Sequence, residues 1–252
     1  LPFVCRTHDN PDPDRMRKLA AFINNFGYSI HLKDDEVHPK ELQKLLAKLE
    51  ETPEEDLISR LTLRSMKQAK YTTECTGHFG LAAKYYCHFT SPIRRYPDLQ
   101  IHRIIKDVLR GRMNGTREEH YRSILPEVAR QSSERERKAD EAERETIKLK
   151  KVEYMSHHLW EEFDGVISGV TAWGIYVELP NTVEGLVRTA SLQGDYFEYN
   201  ESACAMVGVH TGKSYAIGQK VKVQVTGADK MTRTIDFELV EGIRSTEEYG
   251  EG

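Results

Sequence analysis

The spacing of apolar residues changes period at Leu159–Glu162, and that change limits the chain to a helical part followed by a β part. Before it, Asp12-Pro13-Asp14 is a helix-start signal, with Met16, Leu19, Ala20 and Ile23 on one face and Gly27 as a stop. Pro39 opens a second helix with a stripe of Leu42, Leu45, Leu46 and Leu49. Thr52-Pro53-Glu54-Glu55 reads as a capping box ahead of Leu57, Ile58 and Leu61, and predicts a third helix running toward Ala69. Faces this apolar are normally buried within their own domain. From Glu127 to about His158 the pattern is one long charged helix whose run Glu134–Lys151 alternates in sign, as a solvated face does.

After the change, Phe163–Ile167, Gly174–Leu179, Glu184–Val187, Lys220–Val225 and Thr234–Leu239 alternate between apolar and polar, with glycine turns between them. Five short strands of this kind predict a small Greek-key barrel. The expected fold is therefore α+β and multidomain: a helix-rich part over 1–159, a five-stranded barrel over 160–242 and a polar tail over 243–252.

The densest chemistry lies between Gly77 and Arg103, GHFGLAAKYYCHFTSPIRRYPDLQIHR. Gly77 to Phe89 is aromatic and punctuated by glycine, more like strand and loop than helix. Ser91-Pro92 predicts a helix N-terminus, with serine as N-cap and proline at the first helical position. A helix from Ser91 through Pro97 would set Arg94, Asp98 and His102 on one face, with Asp98 orienting Arg94. Such a pair is commonplace on spacing alone. What distinguishes it is the charge around it: between Arg60 and Arg112 stand eleven Lys/Arg against three acids, in a chain of net charge −4. A local positive field in an acidic protein is the footprint of a polyanion, and guanidinium forks beside a helix N-terminus suit a phosphate.

No run of about 18 apolar residues is present to cross a membrane. Cys5, Cys75, Cys87 and Cys204 show no disulfide spacing and read as reduced thiols of a cytoplasmic protein. Cys75, His78, Cys87 and His88 match no structural zinc spacing. Asp34-Asp35-Glu36 reads as a polar loop, so no metal-holding acidic cluster is apparent. The opening Leu1-Pro2-Phe3-Val4-Cys5-Arg6 reads as a strand already inside a fold.

His88 to Leu99, with Gly77-His78-Phe79-Gly80-Leu81 before it and His102-Arg103 after it, resembles the ribonuclease II / ribonuclease R family, and most nearly its bacterial ribonuclease R branch. The barrel, with Trp173-Gly174-Ile175-Tyr176 and Gly185-Leu186-Val187-Arg188, resembles the OB-fold module named after ribosomal protein S1. The resemblance implies the C-terminal part of an RNB nuclease domain followed by an S1 RNA-binding domain. The implied activity is processive 3′→5′ hydrolysis of single-stranded RNA to nucleoside monophosphates by a monomeric enzyme. Mg²⁺ would be held by aspartates in the upstream half of the same nuclease domain, leaving this chain inactive alone. The resemblance carries the catalytic role onto Arg94, with Arg95 as the other candidate, and RNA contacts onto Ser91, Tyr96, His102, Arg103, Lys67, His78, Trp173, Tyr176 and Arg188. Residues 161–242 carry six basic against twelve acidic side chains, so the barrel's grip is expected to come from stacking and a patch of Arg188, Lys220 and Lys222. The alternative is a non-catalytic RNA-binding or scaffold protein that keeps the fold.

Overall fold

A computed structural model describes residues 1–33, 36–52, 54–201 and 203–240. Asp34, Asp35, Pro53 and the tail 243–252 lie outside the described residues, and with them the first two residues of the predicted polar loop, the proline of the predicted capping box and the whole polar tail. The chain divides into two compact units, Leu1–Glu143 and Arg144–Gly252.

In the first unit, β1 (Cys5–Thr7) pairs antiparallel with β4 (Lys70–Thr72), and helices α1 (Pro13–Asn24), α2 (Pro39–Leu49) and α3 (Glu55–Ser65) lie between them in sequence. The Asp12 carboxylate caps α1, accepting from the Asp14 N–H at 2.9 Å and the Arg15 N–H at 3.3 Å, with Pro13 in the first turn. Met16, Leu19, Phe22 and Ile23 form the buried face of α1, and Leu42, Leu45 and Leu49 that of α2. A short hairpin of β2 (Leu32–Lys33) and β3 (Glu36–Val37) separates them.

The start of α3 departs from the capping-box expectation. The Thr52 hydroxyl donates back to the Leu49 carbonyl at 2.7 Å, and the Glu55 carboxylate accepts from the Glu51 N–H. The helix also stops at Ser65, because Met66 is extended at ψ 157°, so it does not reach Ala69.

Two further helices complete the unit: α4 (Tyr96–Leu109) and α5 (Gly115–Met155), the latter continuing into the second unit. Asn114 caps α5, its Oδ1 accepting from the Arg117 N–H at 2.9 Å. The helix therefore starts earlier than the expected Glu127 and passes through Pro126 without a break. Val4, Tyr71, Ile104, Tyr121, Leu125 and Ala129 make one buried cluster, which anchors the residue before β1 together with β4, α4 and the N-terminal part of α5.

The second unit is a closed barrel of β5 (Glu162–Thr171), β6 (Gly174–Glu178), β7 (Glu184–Arg188), β11 (Lys220–Asp229) and β12 (Thr234–Leu239). Strand order is β11-β12-β7-β6-β5, with β12 and β7 parallel and the other neighbours antiparallel. Inward residues Ile167, Ile175, Val177, Val187, Val223, Val225 and Phe237 fill it, and Val152 and Met155 from the end of α5 join the same core. Gly174 admits no side chain, since a Cβ there would collide with the Val187 carbonyl.

A three-stranded antiparallel sheet, β8 (Phe197–Asn200), β9 (Ala205–Gly208) and β10 (Ser214–Ala216), was not among the five expected strands. Asp195 holds its far turn. The carboxylate accepts from the N–H groups of Tyr196, His210 and Thr211 and from the Thr211 hydroxyl, at 2.6–3.2 Å.

Candidate nucleic-acid interface

The stretch from Gly77 to Arg103 is assembled on the short β1–β4 pair. His8, just past β1, receives the Phe79 N–H on its carbonyl at 2.9 Å and the Gly80 N–H on its Nδ1 at 3.1 Å. Its own N–H donates to the carbonyl of Gly77, whose φ of 99° lies in the left-handed region. These bonds thread the glycine-bearing segment along the end of β1. Phe79 is buried beneath it. His78 is packed edge to face against His8 and Tyr86, with both ring centroids at 5.1 Å. Burial first, and then the neighbouring His8, holds the His78 imidazole below the usual histidine range.

The next anchor is His88, whose Nδ1 is 2.8 Å from the buried Tyr71 hydroxyl. Tyr71 is fixed in turn: the Arg6 guanidinium lies over its ring at 4.6 Å, and Arg6 is paired with Glu136 of α5 at 2.6 Å. Burial, reinforced by Arg95 and Arg6, keeps the His88 pKa low, and burial raises that of Tyr71. One residue on, Phe89 stacks on His102 of α4 at 4.3 Å and 5° between planes, and the His102 Nε2 bonds the Phe89 carbonyl at 2.9 Å.

Ser91 does not begin the helix. The N–H groups of Arg94 and Arg95 return to the Ser91 carbonyl at 3.3 and 2.9 Å, closing a turn, and α4 starts only at Tyr96 with Pro97 in its first turn. The reason is Asp98. Its fully buried Oδ2 accepts from the Ser91 N–H at 2.8 Å and from Arg95 Nε and Nη2 at 3.1 and 2.9 Å, drawing the preceding turn back over the helix start.

The expected Arg94–Asp98–His102 helix face is therefore not formed. Asp98 orients Arg95, while Arg94 lies on the turn, exposed, with no ion pair or side-chain hydrogen bond among the described residues. Beside it Ile93 is fully exposed, Tyr96 is half exposed and Ser91 is half-buried. Arg103 and Lys67 are exposed. The turn thus presents one free guanidinium on a backbone fixed by a second, half-buried one.

On the barrel, Trp173 lies in the turn between β5 and β6, so strand alternation does not decide where its ring points. The indole is 62% exposed and its Nε1–H donates to the Tyr176 hydroxyl at 3.1 Å, which brings both rings to one surface. Arg188 at the end of β7 is exposed and pairs with Asp236 at 3.1 Å. Of the expected basic patch, Lys222 is paired with Glu162 at 3.1 Å.

Sequence reading missed three members of the first site. Arg6, Tyr71 and Glu136 come from separate segments, and Tyr71 carried no local signal beyond an apolar position before the glycine motif. The reading of reduced cysteines is also corrected. Cys5 and Cys75 are disulfide-bonded, their Cα atoms 5.5 Å apart across 70 residues, because the β1–β4 register puts Cys5 opposite Thr72. Cys87 and Cys204 are in no disulfide among the described residues. Among the described residues no group of three or more His, Cys, Asp or Glu side chains is placed to hold a metal ion, so the described residues by themselves offer no fit for Mg²⁺. Among them, too, no helix is long and apolar enough to cross a membrane.

The RNB domain family matches residues 1–111, and the S1 RNA binding domain family matches residues 160–239. The chain is 45% identical to Ribonuclease R 1 of Lactococcus lactis over 240 residues, covering 95% of this chain and 29% of that protein. It is 41% identical to Ribonuclease R of Thermotoga maritima over 244 residues, covering 96% and 34%. It thus spans about a third of the length of these relatives. Among solved structures, Mycoplasma genitalium RNase R in complex with ribose-methylated single-stranded RNA superposes with a TM-score of 0.88 at 24% identity, over 95% of this chain and 38% of that one. Yeast Ssd1, described as a pseudonuclease, shares the fold at a TM-score of 0.58 and 22% identity, over 81% and 25%.

Proposed function

The chain belongs to the ribonuclease R family, and from that premise we propose that it supplies the arginine turn and RNA-binding barrel of a processive 3′→5′ exoribonuclease that hydrolyses single-stranded RNA to nucleoside 5′-monophosphates. The observation that carries this reading is the division of labour between two adjacent arginines: Arg95 is spent on Asp98, and Arg94 is left exposed and unpaired among the described residues on a turn fixed from behind.

Attack on a phosphodiester places growing negative charge on the phosphorane oxygens, and a preorganised guanidinium aimed there stabilises the transition state more than the ground state. Arg94 takes that role. Arg95, Asp98 and the Ser91 N–H keep its backbone in place, so little reorganisation accompanies the reaction. Ser91, Tyr96, His102, Arg103, Lys67 and His78 border the path of the strand, directly or by shaping the segment that carries the turn. Trp173 and Tyr176 stack bases and Arg188 meets phosphate on the barrel. Carboxylates in the upstream half of the nuclease domain, outside this chain, would hold Mg²⁺, which would supply water activation there. The enzyme acts as a monomer in the cytoplasm, away from membranes.

The test follows release of monophosphates from a single-stranded RNA labelled in its 3′-terminal nucleotide. This chain with millimolar Mg²⁺ is expected to release none, a fragment carrying the upstream part of the nuclease domain none, and the two together a metal-dependent signal. Sustained release by this chain alone would place catalytic carboxylates within it. A reassembled pair that binds RNA without hydrolysing it would favour the non-catalytic alternative.

A further inference from the structure

The disulfide between Cys5 and Cys75 joins a buried residue to an exposed one. Cys5 is 3% exposed within β1, whereas Cys75 lies exposed in the segment that connects β4 to the left-handed Gly77. The bond closes one end of the β1–β4 pair, which has three registered positions: Cys5 with Thr72, Arg6 with Tyr71, and Thr7 with Lys70. The middle position carries the support of the arginine turn, since Arg6 lies over the Tyr71 ring and the Tyr71 hydroxyl holds His88, three residues before Ser91. A pair this short has little cooperativity of its own, so a covalent tie at its end governs how often it opens.

We propose that Cys75 is a thiol-exchange site for small-molecule thiols, and that opening the bond loosens the β1–β4 support and so regulates the arginine turn; the regulatory part rests on the function proposed above. A thiolate attacks the Cys75 Sγ, forming a new S–S bond. The Cys75–Cys5 bond breaks with its electron pair on the Cys5 Sγ, which takes up a proton. A second thiolate then attacks the mixed disulfide, releasing the oxidised small-molecule disulfide and the Cys75 thiolate. The protein gains two electrons and two thiols are oxidised, and the oxidised small-molecule disulfide runs the sequence in reverse. Exposure selects Cys75 as the sulfur attacked, because exchange is in-line and needs an open approach to one sulfur. Cys87 is a poor competitor, its thiol pushed up by burial and then by the charge of Asp98.

The experiment takes the 252-residue chain through mixtures of reduced and oxidised glutathione. Denatured and alkylated without reductant, the oxidised chain should label at Cys87 and Cys204 alone, and at Cys5 and Cys75 as well after reduction; full labelling without reductant overturns the bond. Peptide mapping should find the glutathione adduct on Cys75. An adduct on Cys5 instead, or none at any ratio, overturns the exchange site. Amide exchange over residues 70–91, which needs no RNA, should quicken about tenfold on reduction, as expected when a local opening becomes easier. Unchanged exchange overturns the regulatory part, and the Cys5→Ser/Cys75→Ser double variant should match the reduced chain. Affinity for a fluorescent single-stranded RNA should fall roughly fivefold on reduction, the low end of coupling between sites. Absence of RNA binding in both states, with the thiol and exchange results as expected, overturns the function proposed above and leaves the exchange site standing.

Discussion

Arg95 donates through both Nε and Nη2 to a single oxygen of Asp98, at 3.1 and 2.9 Å, and that same Oδ2 also receives the Ser91 N–H at 2.8 Å. Three donors on one buried carboxylate oxygen bind the turn, the arginine after it and the first turn of α4 into one unit. Charge-assisted bonds of this kind are about twice as strong as neutral ones. Two neighbouring residues of one type thereby acquire different jobs, structural for Arg95 and chemical for Arg94.

Substitutions should separate those jobs. In the enzyme of full family length, Arg94→Ala is expected to lower the single-turnover cleavage rate by ~10² or more with little change in RNA affinity and in thermal midpoint, because an exposed side chain that acts in the transition state is removed. Arg94→Lys should not restore the rate, since a point charge makes no bidentate fork. Arg95→Ala should instead lower the thermal midpoint, because it removes one partner of a half-buried ion pair and leaves a fully buried carboxylate, for which the ~3–5 kcal/mol of a buried pair is the upper bound. Rapid-quench kinetics, filter binding and calorimetry on the same variants give the three readouts. Affinity falling as far as rate in Arg94→Ala would make Arg94 a binding residue.

The same contrast shows how far the chain could be read from its residues. Asp12-Pro13 and Pro39 marked true helix starts because their capping is completed within one turn, by Asp12 and His38 on nearby N–H groups. Ser91-Pro92 carries the same local signature and fails, because Asp98, seven residues on, claims the Ser91 N–H and holds the segment as a turn. The five barrel strands were legible from period 2 and glycine turns. The β8–β10 sheet was not, since it depends on the Asp195 carboxylate gathering backbone groups from residues 210 and 211. Arg6, Tyr71 and the Cys5–Cys75 bond were invisible for a related reason: each acts across 60 residues or more of sequence, through the β1–β4 register.

The turn that Asp195 organises should make the barrel unit acid-sensitive in a defined window. Bonds from the Thr211 hydroxyl, and then from the Thr211, Tyr196 and His210 N–H groups, lower its pKa from 3.8 to about 2. A carboxylate depressed on folding adds stability that is fully present above its unfolded value and is lost as pH falls through the folded one. The thermal midpoint of the wild type should therefore decline between roughly pH 4 and pH 2, over and above the common effect of the other acids. Asp195→Asn should sit lower at neutral pH and decline less across that window. Identical slopes for the two proteins by calorimetry would mean that the carboxylate's charge adds nothing to the turn.

The barrel's contribution to RNA binding should rest more on the ring surface than on charge. Residues 161–242 hold twice as many acids as bases, and both Arg188 and Lys222 are already paired with carboxylates, so phosphate attraction there is weak. Trp173 is exposed and steadied by its bond to Tyr176, which lowers the entropy lost when a base stacks on it. Trp173→Ala should weaken the chain's affinity for single-stranded RNA by roughly fivefold to a hundredfold, the range of one base–aromatic stack, with no dependence on base sequence. Tyr176→Phe, which keeps the ring and removes the acceptor, should cost less. Fluorescence anisotropy across a salt series distinguishes the source of the loss: Trp173→Ala should shift the whole line of log affinity against log salt without changing its slope, because no phosphate contact is removed. A flatter slope in that variant would show that Trp173 positions the cations, and stacking would then not be what the barrel contributes.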